Sequence, residues 1–208
     1  MPIAREHYVN EDRRAVVIDG VRTPFAKAFG PLLQVDTIQL ATTCVGALLE
    51  RQPAAKPQLD AVVWGGVLLP SHAPNVGREL VLDLGLDPSI EAMTVTRACA
   101  SGLQAATQAA AVIERGEADV VVAGGSDSTS NTAVPLPPKV LHALAPLFFG
   151  KPNPHSVLEA CKHLWPPSAL LPRMPRVAER TTGEVMGESA EKMAASTVSR
   201  AKRRTSLP

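Results

Sequence analysis

The sequence predicts an α/β fold: a mostly parallel sheet with helices on both faces, followed by an irregular, proline-rich loop subdomain. Three observations lead there. Apolar, β-rich runs alternate with helix-like segments as far as about residue 130, with turn residues between them, which is the rhythm of βαβ units. The runs are nearly continuous rather than alternating, as expected of strands buried on both faces. Past residue 130 ten prolines fall between Pro135 and Pro175, and no regular sheet survives that density of missing donors.

In chain order, Ala15-Val16-Val17-Ile18-Asp19-Gly20 reads as a first buried strand. Asp36 is placed to cap a helix running to Arg51, with Leu40, Cys44 and Leu48 on one face, and Pro53 and Pro57 stop it. Ala61 to Trp64 is the second strand, ending in Gly65-Gly66, and a helix from Asn75 to Leu84 closes on Gly85. Ala92 to Thr96 is the third strand. The helix from Gly102 to Arg115 carries Leu103, Ala106, Ala110 and Ile113 on one stripe and ends at Gly116; the fourth strand, Asp119 to Ala123, runs into Gly124-Gly125. Within the proline-rich part, Lys139 to Phe149 and Ser156 to Trp165 are short amphipathic helices, and a helix restarts near Thr182. The expected organisation is therefore a core over 1–130, an excursion over 131–194, and a divergent, basic, disordered tail over 195–208.

Composition removes several classes of function. With 45% hydrophobic and 20% charged residues in 208, the chain can bury a sizeable core without disulfide or metal staples, and its three cysteines cannot all pair. Reduced thiols in a cytoplasmic setting are the expectation. A net charge of +1 argues against nucleic acid as the main partner. No apolar run approaches the roughly 18 to 20 residues a spanning helix needs. The mixed-charge first 14 residues do not read as a targeting signal.

The chemistry is expected at Cys99. In Thr94-Val95-Thr96-Arg97-Ala98-Cys99-Ala100-Ser101-Gly102 the cysteine falls between a strand end and the first turn of a helix, the position that displays a nucleophile in elbow-type hydrolases. The partial positive charge of the helix N-terminus favours thiolate there, and the small neighbours let a carbonyl approach the sulfur. The competing reading is a small hydrophobe packed at a strand end. Cys44 and Cys161 take that second reading, and neither cysteine spacing nor neighbouring histidines suggest a metal site.

Five segments in order resemble the thiolase family. They are Val21-Arg22-Thr23-Pro24-Phe25, Pro74-Asn75-Val76-Gly77-Arg78, Arg97 to Ala105 around Cys99, Val122 to Ser130, and Met186-Gly187-Glu188-Ser189-Ala190-Glu191. The long basic excursion, with Leu170-Leu171-Pro172 and Val177 to Gly183, looks most like the thiolase subunit of fatty-acid β-oxidation multienzyme complexes. The resemblance implies an acetyl-CoA C-acyltransferase in which Cys99 carries the acyl group, with coenzyme A as substrate and no metal or tightly held cofactor. It also implies a homodimer and a partner subunit with hydratase and dehydrogenase activities. Lys139, Lys151, Lys162, Arg173 and Arg176 would meet CoA phosphates or anionic headgroups at a membrane, or else merely keep the excursion soluble. No individual CoA-binding residue stands out.

The sequence departs from the family in one respect. Thiolases activate the nucleophile with a histidine in a Gly-His-Pro context and use a second cysteine in a Cys-x-Gly-Gly context as acid and base. Neither pattern occurs in these 208 residues, and His7, His72, His142, His155 and His163 all read as structural or solvated. The chain alone is therefore expected to be inactive, as a truncated or frame-shifted fragment would be, and to self-associate through an exposed helix face. Two alternatives stand beside the acyltransferase: a thiolase-derived module that binds acyl-CoA or a partner subunit, and a ketoacyl synthase, which the Arg22-Thr23-Pro24 segment fits less well.

Overall fold

A computed structural model describes residues 13–133, 137–150, 155, 158, 162 and 178–205. The chain divides into two compact units, residues 1–133 and 134–208.

The first unit is a helix–sheet–helix sandwich. Helix α1 spans Thr37–Arg51; β1 (Ala61–Gly65), α2 (Val76–Asp83), β2 (Glu91–Val95), α3 (Ser101–Glu114) and β3 (Val121–Gly125) follow. The strands are parallel in the order β2-β1-β3, with Ala61 opposite both Glu91 and Val121. Central β1 is buried along its whole length, as a strand covered on both faces must be. Alternate side chains go to opposite faces. Val62, Trp64 and Val122 join Ala41, Val45 and Leu49 of α1 and Val76, Leu80 and Val81 of α2 in the larger cluster. Val63 packs with Ala105 and Ala109 of α3, and Val95 and Val121 complete that smaller cluster.

The helix boundaries follow their local signals. The Asp36 side chain accepts from Gln39 N–H while the Gln39 side chain accepts from Asp36 N–H, a reciprocal capping box at the start of α1. Gly85 at φ +57 and Gly116 at φ +76 end α2 and α3 in the left-handed conformation that glycine adopts without penalty.

Four expectations for the first unit need correction. Residues 15–20 form no strand: they run extended with Val16 75%, Val17 94% and Ile18 77% exposed. Among the described residues no strand pairs with them, and their ends are pinned by polar contacts instead. Arg13 donates to Ile113 O and Ala118 O and pairs with Asp119, while Asp19 pairs with Arg51 and Gln52. The core stripe of α1 is Thr37, Ala41, Val45 and Leu49, one residue on from Leu40, Cys44 and Leu48, which sit half-buried on its flank. The core stripe of α3 is Ser101, Ala105 and Ala109, which leaves Leu103 70% exposed. β3 begins two residues later than the expected start at Asp119 and takes in Gly124 and Gly125, because Trp64 and Gly65 of β1 pair with them.

In the second unit α4 spans Pro138–Phe149 and α5 spans Met186–Thr205. Pro138 opens α4, where its missing N–H costs nothing. Ahead of α5 a tight turn brings Ala178 and Val185 into an antiparallel bridge, with Gly183 at φ +73. Helix α5 passes through residue 195, the start of the stretch read as a disordered tail. Its alanines favour helix. The helix expected over 156–165 lies outside the described residues except Leu158 and Lys162, both helical. No helix of the described residues is long and apolar enough to cross a membrane.

Candidate active site

β2 delivers the chain into a tight turn in which Ala100 N–H donates to Arg97 O at 3.0 Å. Ala98 stands inside that turn at φ +46. For a residue with a β-carbon this left-handed conformation costs about 1 to 2 kcal/mol. Cys99 follows as an exposed free thiol, and α3 begins two residues later. The elbow expected from the sequence is therefore present, with Cys99 at its tip.

Two glycines seat the start of α3. A β-carbon on Gly65 would fall 2.5 Å from Ser101 O and 2.8 Å from Gly102 N, and one on Gly125 would fall 2.7 Å from Gly65 O and 3.5 Å from Gly102 Cα. Only glycine permits this backbone-to-backbone approach. In the sequence these glycines mark strand ends; their spacer role depends on what lies across from them, and no local pattern reveals that.

No side chain caps α3: its N-cap is Ala100, and Ser101, 4% exposed, turns its hydroxyl back to the turn instead. Ser101 Oγ accepts from Arg97 N–H at 2.8 Å and donates to Ala98 O at 2.7 Å. The Ser101 N–H returns to Ala98 O at 3.1 Å, and the Gly102 and Leu103 N–H groups that follow have no side-chain acceptor; an uncapped first turn of this kind favours a developing negative charge nearby. The Arg97 guanidinium extends to Gln104 Oε1 at 2.7 Å. Sequence reasoning treated Ser101 only as a small neighbour, although serine at a helix start is a known backbone binder.

The other segments of the resemblance brace the sheet around this elbow. Asn75 caps α2 through Arg78 N–H and also donates to Ala92 O at 3.2 Å, while Thr94 Oγ1 donates to Asn75 Oδ1 and accepts from Gly77 N–H, each at 3.0 Å. Ser126 Oγ accepts from the Trp64 indole at 2.9 Å and donates to Thr37 O at 2.8 Å. The Asp127 carboxylate accepts from Val67 N–H at 2.8 Å and Leu68 N–H at 2.6 Å. A cleft of about 330 Å³ opens between the extended stretch at Val21 to Phe25, the Leu40, Cys44 and Leu48 flank of α1, and the chain leaving β3; Cys99 does not line it.

Within the first unit no other candidate is hydrogen-bonded to Cys99. Cys44 donates to Val21 O at 3.3 Å and burial pushes its thiol up, which suits a packed hydrophobe rather than a nucleophile. His72 is exposed in the first unit, and no hydrogen bond joins it to Cys99; His142 and His155 are exposed in the second unit. His7, His163, Cys161, Lys151, Arg173 and Arg176 lie outside the described residues.

Comparison with known proteins gives one answer. Residues 15–204 match the family described as thiolase, N-terminal domain. The 3-ketoacyl-CoA thiolase of Shewanella halifaxensis (strain HAW-EB4) is 36% identical over 181 residues, covering 87% of this chain and 41% of the relative. That of Shewanella sp. (strain ANA-3) is 37% identical over 185 residues with the same coverage. Among solved structures, the Bacillus anthracis acetyl-CoA acetyltransferase superposes with a TM-score of 0.66 at 25% identity over 89% of this chain and 42% of its own. The Acat5 thiolase from Ascaris suum, solved in complex with coenzyme A, superposes with a TM-score of 0.53 at 26% identity, covering 56% of this chain and 30% of its own. The chain spans about two fifths of the length of the thiolases it matches. Matched along nearly all of its own length, it belongs to the thiolase family and corresponds to that family's N-terminal domain.

Proposed function

We propose that this chain carries the nucleophile of a thiolase-type acyl transfer between a cysteine and coenzyme A, in the metabolism of fatty acids. The observation that supports it most is the Cys99 elbow: an exposed thiol at an uncapped helix N-terminus, seated against two glycines. In the degradative direction the Cys99 thiolate attacks the keto carbon of a 3-ketoacyl-CoA. The bond between C2 and C3 breaks, and the electron pair leaves on acetyl-CoA as its enolate, which takes a proton. A CoA thiolate then displaces Cys99 from the acyl carbon, giving a shortened acyl-CoA and the free thiolate. Condensation of acetyl-CoA is the reverse.

Such a cycle needs an acid for the enolate and a base for the thiol as well as a nucleophile. Among the described residues of the first unit, no histidine or carboxylate is hydrogen-bonded to Cys99. That favours a second reading for the chain taken alone, a thiolase-derived module that binds acyl-CoA or a partner subunit. A cytoplasmic homodimer, and association with a subunit that feeds it 3-ketoacyl-CoA, remain part of the proposal.

The deciding experiment is intact-mass spectrometry after incubation with acetyl-CoA or acetoacetyl-CoA, beside Cys99→Ala. An acetyl adduct on the wild type that disappears in Cys99→Ala is the expected result. An unmodified wild-type chain sinks the nucleophile reading for this chain and leaves the binding module.

A further inference from the structure

We propose that the Ser101 hydroxyl is the positioning group of Cys99, a clasp that holds the preceding turn in its left-handed form. The inference rests on the reading of Cys99 as acyl carrier and names the residue that fixes its geometry. Ser101 is buried at the first position of α3. A serine there could cap the helix by accepting one of its first N–H groups. Instead its oxygen accepts from Arg97 N–H and its proton goes to Ala98 O, so the hydroxyl bridges the two ends of the Arg97–Ala98 segment and spans the backbone dihedrals of both residues.

Two consequences meet at Cys99. No serine oxygen competes for the Gly102 and Leu103 N–H groups of the first turn. Ala98 is also kept at φ +46, a conformation its β-carbon disfavours and on which the direction of the next residue depends. The backbone bonds from Ala100 N–H to Arg97 O and from Ser101 N–H to Ala98 O close the turn. Turn closure of this kind occurs with either hand at the residue after the first. The hydroxyl adds the contact to Arg97 N–H, so that a bridge from Arg97 N–H to Ala98 O spans the φ of Ala98. Ser101 cannot drift, because its carbonyl lies against Gly65.

The test compares two reactions of the same sulfur on the full 208-residue chain. Acetyl transfer from acetyl-CoA requires Cys99 to be placed against a carbonyl, whereas alkylation by iodoacetamide requires only an accessible thiol. Ser101→Ala is expected to slow acetyl transfer by about tenfold or more while alkylation of Cys99 changes by less than about threefold, since small misplacements cost a positioned reaction far more than an unpositioned one. Adding Ala98→Gly to Ser101→Ala is expected to restore much of the loss, because glycine enters the left-handed region freely.

Alkylation of half-buried Cys44 monitors the fold. Equal acetylation of wild type and Ser101→Ala overturns the clasp and leaves Cys99 as nucleophile. Faster Cys44 alkylation in Ser101→Ala that Ala98→Gly does not repair makes Ser101 a packing residue and also overturns it. A wild type that is alkylated but never acetylated removes the nucleophile reading, and the clasp with it.

Discussion

Helices α2 and α3 flank the same strand, one leading into β2 and the other leaving it, and their N-termini are built on opposite lines. At α2, Asn75 accepts from Arg78 N–H, donates to Ala92 O in the strand and is itself held by Thr94, which accepts from Gly77 N–H, so two first-turn N–H groups are closed by side chains. At α3 the cap position is Ala100, which has nothing to offer, and the Ser101 hydroxyl turns back to Arg97 and Ala98. Where a helix end has only to hold, a side chain seals it. Where the proposed chemistry sits, the end is left open, and its placement comes from the Gly65 and Gly125 backbone and from a hydroxyl behind the turn.

The contrast can be broken from the steric side first. Gly65→Ala drives a β-carbon onto backbone atoms of Ser101 and Gly102, which cannot rotate away as a side chain would. Overpacking of this kind costs about 1 to 3 kcal/mol or more, and the upper end is expected here. Urea unfolding followed by circular dichroism measures it, and acetylation of Cys99 should fall with it. A midpoint equal to wild type would mean that the start of α3 is not held by that contact.

The closed terminus should respond more mildly. Asn75→Ala removes a cap and the bond to Ala92, for an expected loss of about 1 to 2 kcal/mol. Alkylation of Cys99 should stay near the wild-type rate, because the elbow has its own supports. A large change in Cys99 reactivity in this variant would show the two termini to be coupled through β2.

The smallest effect is electrostatic and far from both. The Asp60 carboxylate accepts from Val120 N–H at 3.0 Å and Asp119 N–H at 2.7 Å, and these bonds hold its pKa below the usual carboxylate value. A depressed carboxylate contributes stability that is present above the unfolded-state value, near pH 4, and is lost as pH falls through the folded value. Wild type should therefore weaken more than Asp60→Asn as pH is lowered from about 4 to 2. Parallel acid-unfolding curves would remove Asp60 from the account.

Legibility in the sequence follows the same divide. The helix ends at Asp36, Gly85 and Gly116 were readable, since each acts through neighbours a few residues away. So were the parallel strands, whose apolar runs are local. The segment at Val16 to Ile18 has the composition of a strand, but a strand also needs a distant partner, and among the described residues none pairs with it. The stripes on α1 and α3 were rotated because both helices carry apolar residues on more than one face, so periodicity alone could not choose between Leu103 and Ala105. Cys99 was found through its strand-to-helix context, whereas the glycine seat and the backward turn of Ser101 arise only when β1, β3 and α3 meet.

The Trp64 indole is 3% exposed, lies where Gly124 leaves room for its ring, and donates to Ser126. It is one of two tryptophans in the chain, and the other, Trp165, lies outside the described residues. With Trp165 replaced by phenylalanine, the emission colour of the remaining indole becomes an optical gauge of the strand ends: blue while the ring is dry and bonded, red once water reaches it. The same rim of the sheet that carries the elbow thus brings its own fluorophore, and events at Cys99 can be followed without attaching a dye.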